Sequence, residues 1–160
     1  MVKGYVQIFD TDILLTQRRN LVTLEGRHFF QQKATDLGDL VNFKLTHFAI
    51  GDGGVDPHNL FLPVIPQETD TSLRSPIILD QANNLTYLPF TSITHYNRTQ
   101  TVIEIRIEAE HGPEQFFYNE AGLFASNPTR DVFKLVARVT FPSVYKDRSR
   151  RQTLYWWLFF

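Results

Sequence analysis

Thr101-Val102-Ile103-Glu104-Ile105-Arg106-Ile107-Glu108-Ala109-Glu110 alternates without a break. In an extended chain Val102, Glu104, Arg106 and Glu108 share one side, and Ile103, Ile105, Ile107 and Ala109 share the other. A period of two with one apolar side is the pattern of a half-buried antiparallel strand. Downstream, residues 116–125 and 132–141 continue it, with Asn127-Pro128-Thr129-Arg130-Asp131 as the hairpin turn between them. Residues 142–151 read as a polar loop and 153–160 as a last strand. Upstream, residues 77–79 and 85–94 read as strands, the latter carrying Tyr87, Phe90 and Ile93. Phe43, Leu45, His47 and Ala49 alternate with Lys44, Thr46, Phe48 and Ile50 up to Gly51-Asp52-Gly53-Gly54, a strand running into a tight turn. Residues 55–76 hold Pro57, Pro63, Pro66 and Pro76, which exclude a central strand. That connection is expected to be pinned to the body by Leu60, Phe61 and Leu62, with a short helix at 67–74.

The period changes only near the start. Thr23 is placed to cap a helix with Glu25 in its first turn; Leu24, His28, Phe29 and Gln32 follow at helical spacing, and Gly38 marks a stop. Residues 21–37 are therefore the helix, with 13–17 leading into it, and residues 2–9 form a short strand broken by Asp10-Thr11-Asp12. One early helix followed by strands gives an α+β fold, a mostly antiparallel sheet or sandwich with the helix packed on it. The expected organisation is a single domain over 1–160: an N-terminal arm or strand at 1–20, the helix at 21–37 and a β-rich body at 43–160.

The 160 residues are enough for one domain with a sizeable core. The formal net charge of −1 is well mixed, so no nucleic-acid or membrane field covers the molecule. The chain has no cysteine, which excludes disulfides, thiolate metal sites and a cysteine nucleophile, and fits folding in a reducing cytoplasm. The start carries no signal-peptide pattern, and no stretch is long enough to span a bilayer.

The chain ends on Leu154-Tyr155-Trp156-Trp157-Leu158-Phe159-Phe160. Chain ends are polar and frayed unless something ties them down. As a strand, Leu154, Trp156, Leu158 and Phe160 face one way, and Tyr155, Trp157 and Phe159 the other. Each aromatic ring carries about 150–250 Å² that favours burial. One side is expected on the domain's own core and the other on a second surface, making residues 155–160 the candidate assembly interface. Lys146, Arg148, Arg150 and Arg151 cluster beside it in the preceding loop, with Asp147 among them, as a solvated or interfacial group.

Other chemistry is sparse. His28, His47, His58, His95 and His111 are scattered, and no pair has the spacing of a zinc helix. Gly51-Asp52-Gly53-Gly54 is followed by neither a Walker lysine nor the glutamate of an EF-hand, and reads as a turn whose glycines take positive φ. Glu120 has no second acid, serine or histidine to work with, and reads as a structural carboxylate accepting hydrogen bonds from backbone or arginine. Glu104 and Glu108 share a strand side near the spacing of a glycosidase pair, but on so regular a strand they read as solvent-facing. No catalytic, metal-binding or cofactor-binding set emerges.

Three stretches in order carry a resemblance. They are Leu45-Thr46-His47-Phe48-Ala49-Ile50-Gly51-Asp52-Gly53-Gly54, then Asn119-Glu120-Ala121-Gly122-Leu123-Phe124, then Leu135-Val136-Ala137-Arg138-Val139-Thr140-Phe141-Pro142 with Tyr145-Lys146. Together with the early helix and the final apolar strand, the trio resembles the tail-fibre attachment (tail-collar fibre) domain of contractile-tailed bacteriophages, over roughly residues 22–160. The resemblance implies a virion protein of the tail or baseplate without catalytic residues, commonly a trimer, that mounts fibres on the baseplate. Its partners would be baseplate-wedge and tail-fibre proteins, with neither nucleic acid nor membrane involved. Gly51, Asp52, Gly53, Gly54, Glu120 and Gly122 would be structural motif positions. This chain ends where such proteins run on into a shaft, its last strand is more aromatic, and its 147–151 loop is more basic. An adaptor onto which a separate fibre docks is therefore the expected function. The alternative is a glycan-recognition module using Tyr155, Trp156 and Trp157.

Overall fold

The structure is a computed structural model that describes residues 1–127, 129 and 131–160. It is α+β, mostly antiparallel sheet with a single helix among the described residues. In chain order the elements are β1 (Lys3–Asp10), β2 (Ile13–Arg19), β3 (Leu21–Val22), α1 (Leu24–Thr35), β4 (Lys44–Gly51), β5 (Val55–Asp56), β6 (Asn59–Pro63), β7 (Leu88–Pro89), β8 (Ser92–Asn97), β9 (Gln100–Ile107), β10 (Gln115–Asn127), β11 (Val132–Asp147) and β12 (Gln152–Phe159). Two five-stranded sheets form, in the orders β2-β1-β12-β9-β8 and β3-β11-β10-β4-β7, with β5-β6 as a separate hairpin.

The isoleucine side of β9 decides how the sheets meet. Ile103, Ile105 and Ile107 are fully buried with Val6 and Ile8 of β1 and Leu154, Trp156 and Leu158 of β12. They pack on Phe48 and Ile50 of β4, Ala121 and Leu123 of β10, and Val139 and Phe141 of β11. This is a sandwich core filled by the inner sides of two sheets.

The second sheet is covered on its other side as well. Phe29 of α1 packs with Leu40, Phe43, Ala125 and Val136, while Leu73 of the long connection packs with Ala49, Phe124 and Leu135. Residues 118–126 are accordingly buried without interruption. Strands covered on both sides lose the alternation that marks half-buried ones. The first sheet keeps its alternation in β9 and β12, because no element among the described residues lies over its outer side.

The helix sits where Thr23 holds it. The Thr23 hydroxyl accepts from the Gly26 amide at 3.0 Å and donates to the Leu135 carbonyl at 2.6 Å. Gly26 lies so close to Val136 that a Cβ there would strike its carbonyl. The cap thus fixes both the start of the helix and its seat on β11. Thr23→Ala is expected to lower stability by about 1–2 kcal/mol, read as a fall in the urea midpoint at constant slope.

Several expectations change. Residues 13–17 do not lead into the helix; they lie in β2, paired to β1 through a register that places Gln17 opposite Gln7. No helix forms at 67–74, where a turn bonds the Asp70 amide to the Gln67 carbonyl at 3.0 Å. The 85–94 segment divides into β7 and β8, in different sheets. The polar loop is shorter than expected, because β11 runs through Pro142 to Asp147, opposite Gln115 at the start of β10. Of the 127–131 turn, Pro128 and Arg130 lie outside the described residues; β10 and β11 pair as far as Asn127 opposite Val132.

Candidate functional site

The C-terminal strand is the middle of its sheet. β12 pairs with β1 along one edge and β9 along the other, each over eight residues. Its two sides have different fates. Gln152, Leu154, Trp156 and Leu158 point into the core, with Trp156 at 0% exposure. Tyr155, Trp157 and Phe159 stand half-buried on the outer side. Trp156 and Leu158 therefore drop out of the expected interface, since no partner can reach them while the sandwich is intact. Phe160 escapes both sides; it is 57% exposed, with its ring edge-on to Phe30 of α1.

On the outer side the rings join others from neighbouring strands. Tyr5 stacks with Trp157 and Phe159 at 6.1 and 5.7 Å between centroids. Phe9 meets Tyr155 at 5.7 Å, and Tyr96 meets Trp157 edge-on at 5.6 Å. The Trp157 indole N–H donates to Gln7 Oε1 at 3.2 Å, and Gln7 in turn donates to Gln17 at 3.0 Å. Cross-strand aromatic pairs of this kind stiffen a sheet. The rings form two groups, Tyr5-Trp157-Phe159-Tyr96 and Phe9-Tyr155, with Gln7 and Glu104 opposite Tyr155, a mix of aromatic and polar groups found at protein-contact surfaces.

The basic cluster is tied internally. Arg150 Nε lies 3.3 Å from Asp10, Arg151 lies 3.9 Å from Glu108, and Arg148 donates to the Gly112 carbonyl at 3.2 Å. The side chains of Arg150 and Arg151 remain at least half exposed. Lys146, expected among the solvated group, is instead buried. Its ammonium donates to the carbonyls of Ala109, His111 and Asp147 at 3.2–3.3 Å, 5.8 Å from the Phe116 ring centre. Burial pushes its pKa below the usual lysine range. An unfolded lysine then holds its proton more tightly than the folded one, so the destabilising term is full below the lowered pKa and fades as pH rises towards the ordinary value of 10.5. Lys146→Met orphans three carbonyls and is expected to cost about 1–3 kcal/mol near neutral pH. Urea unfolding at several alkaline pH values should show that this stabilising rise is weaker in the variant.

The Gly51–Gly54 turn owes its glycines to close approach. Among the described residues only Gly38 and Gly112 are glycines with positive φ, which corrects the expected reason. A Cβ at Gly54 would strike the Asn119 carbonyl, and one at Gly51 would lie 2.6 Å from Glu120 Oε1. Glu120 is fully buried and is the structural carboxylate expected. Oε1 accepts from the amides of Gly53 at 3.2 Å and Ser75 at 2.9 Å. Oε2 accepts from the Arg74 amide at 3.3 Å and from Arg138 Nη2 and Nε at 2.6 and 3.1 Å. Arg138, equally buried, also donates to Asp70 at 2.6 Å. The side opposite the sandwich core at Gly122 is left open for Leu73, Phe124 and Leu135. Sequence reading missed Arg138 and Asp70 as partners, although an arginine in the middle of an apolar strand was a signal.

Most of the other acids and histidines singled out in the sequence meet neighbours. Glu104 accepts from Arg106 at 2.7 Å and from Ser92 at 3.3 Å, while Glu108 faces Arg151. His28 meets Gln32, His47 meets Thr46 and His95 meets Thr101. Burial holds the His47 pKa below its usual value. Among the described residues no group of three or more His, Asp and Glu side chains is placed to hold a metal ion, and no helix is long and apolar enough to cross a membrane. Comparison with family models, with curated proteins and with solved structures returns no match for this chain.

Proposed function

We propose that the chain is a structural component of a contractile, phage-type tail, an adaptor that joins a fibre to the baseplate by protein–protein contacts. The observation that carries this reading is the outer side of the first sheet. Tyr5, Tyr96, Trp157 and Phe159 form one ring-lined group there and Phe9 and Tyr155 a second, while the second sheet spends both of its sides on the fold itself. The three stretches that carry the family resemblance also support it. They occupy the adjacent strands β4, β10 and β11 and meet at Glu120 and Arg138, so they form one structural unit. A homo-oligomer, with a trimer favoured, would bury the outer side between subunits. Arg148, Arg150 and Arg151 lie on the loop that enters β12, where they can exchange their internal partners for acidic groups of another chain.

The test is sedimentation of the purified chain alone and with baseplate and fibre proteins of its own particle, together with mass spectrometry of purified particles. An oligomer that loses its association on Trp157→Ala while the melting temperature moves far less than on Trp156→Ala is the expected result. A monodisperse monomer that binds no tail protein and is absent from the particles would overturn the reading. Glycan binding by the monomer, lost on Trp157→Ala, would replace it with recognition of a host surface.

A further inference from the structure

A second surface lies along the open edge of the sandwich. β2 is the last strand of its sheet, and its outer edge pairs with no strand among the described residues. β6 stands opposite it, and β11 forms the floor between them. Two adjoining depressions run along this line. One, of about 420 Å³, is bordered by Leu15 and Thr16 of β2, Phe61 of β6 and Val144 and Tyr145 of β11. The next, of about 380 Å³, is bordered by Arg18 and Arg19 of β2, Val64 and Ile65 beyond β6, and Thr140. Together they form a groove with strand or extended backbone on both lips.

The two ends of the groove differ in chemistry. At one end Leu15 and Phe61, 43% and 73% exposed, line the depression together with the Asp10–Arg150 pair. At the other end Arg18 and Arg19 meet no carboxylate among the described residues, whereas Arg27, Arg106, Arg138, Arg150 and Arg151 each do. Free edge strands are ordinarily protected by charge, and here the charge is paired beside Leu15, between Asp10 and Arg150, and without a carboxylate partner at Arg18 and Arg19. An incoming strand satisfies the backbone of such an edge, and side-chain pockets give it register.

We infer that this groove receives an extended segment of a different protein, apolar where it passes Leu15 and Phe61 and carboxylate-bearing where it passes Arg18 and Arg19. A second copy of the chain fits less well. Its own β2 is flanked by β1 and faced by β6, so it cannot lie as a single strand between two lips. The groove borders the ring-lined side of the sheet at Arg19, which also lines a depression with Tyr5 and Phe159, and the inference does not depend on a role in a tail.

Selection from a displayed library of linear ten-residue peptides on the immobilised full chain tests it, with Arg18→Glu/Arg19→Glu as the parallel target. These arginines are exposed, so the variant should keep the parent melting curve; Arg18→Gln/Arg19→Gln serves if it does not. The enriched peptides should pair two alternate apolar positions with a run of carboxylates. They should bind the variant at least tenfold more weakly and weaken with added salt. No enrichment, peptides lacking carboxylates, equal binding to both targets, or dimerisation of the chain through β2 would each overturn the inference.

Discussion

Trp156→Ala lowers stability by about 3–5 kcal/mol, the range for removing a large aromatic side chain from a core. That is a large share of the roughly 5–15 kcal/mol that holds a domain together, so the variant should melt far below the parent or fail to accumulate. Trp156 is fully enclosed, between Val6 of β1 and Ile103 of β9 in the register of the sheet. Its neighbour behaves differently. Trp157→Ala removes a half-buried ring that touches Tyr5 and Tyr96, and is expected to move the melting temperature much less. Thermal melts paired with sedimentation separate the two roles: Trp156→Ala acts through folding, Trp157→Ala through association. Equal losses of stability would refute the division of β12 into a core side and a contact side. Removing residues 155–160 altogether should leave the chain insoluble, because β1 and β9 then lose their common partner.

Arg138→Met costs about 3–5 kcal/mol, because it leaves the Glu120 carboxylate charged, buried and without its cation. The loss reaches beyond the pair. Glu120 and Arg138 hold the connection through Asp70, Arg74 and Ser75, and that connection carries Leu73 onto the second sheet. Limited proteolysis of the variant should open the 64–76 segment first. The double variant Glu120→Gln/Arg138→Met should recover part of the loss, since an amide can still accept from Gly53 and Ser75 but carries no unpaired charge. If the double variant is no more stable than Arg138→Met, charge burial is not the main cost.

The legibility of the chain followed how many of a segment's sides are covered. β9 was plain because one side is core and the other outward, so its residues alternate. β10 and β11 were recognised but their extent was not, because helix and connection cover their second side and erase the alternation. Pro142 argued for a loop, yet it lies in β11 across a break in register between Tyr118 and Glu120. β2 was misread because Ile13, Leu14 and Leu15 are consecutive and outward, which fits neither period. The role of Glu120 was legible from the lack of a second acid, serine or histidine to work with it, but its arginine lay 18 positions away.

By itself the sequence determined the α+β class, the capped helix after Thr23, the isoleucine side of β9 and the two-sided demand of the final strand. Those properties are local, set by periodicity and capping within a few residues. Only the tertiary structure decided that β12 lies between β1 and β9, that Trp156 belongs to the core and Trp157 to the surface, and that Lys146 is buried. It also decided that the glycines of the 51–54 turn serve close approach. The physical reason is the same in each case. Burial depends on which distant strand arrives alongside, and antiparallel pairing joins Val6 to Trp156 across nearly the whole chain, a partnership that no local pattern encodes.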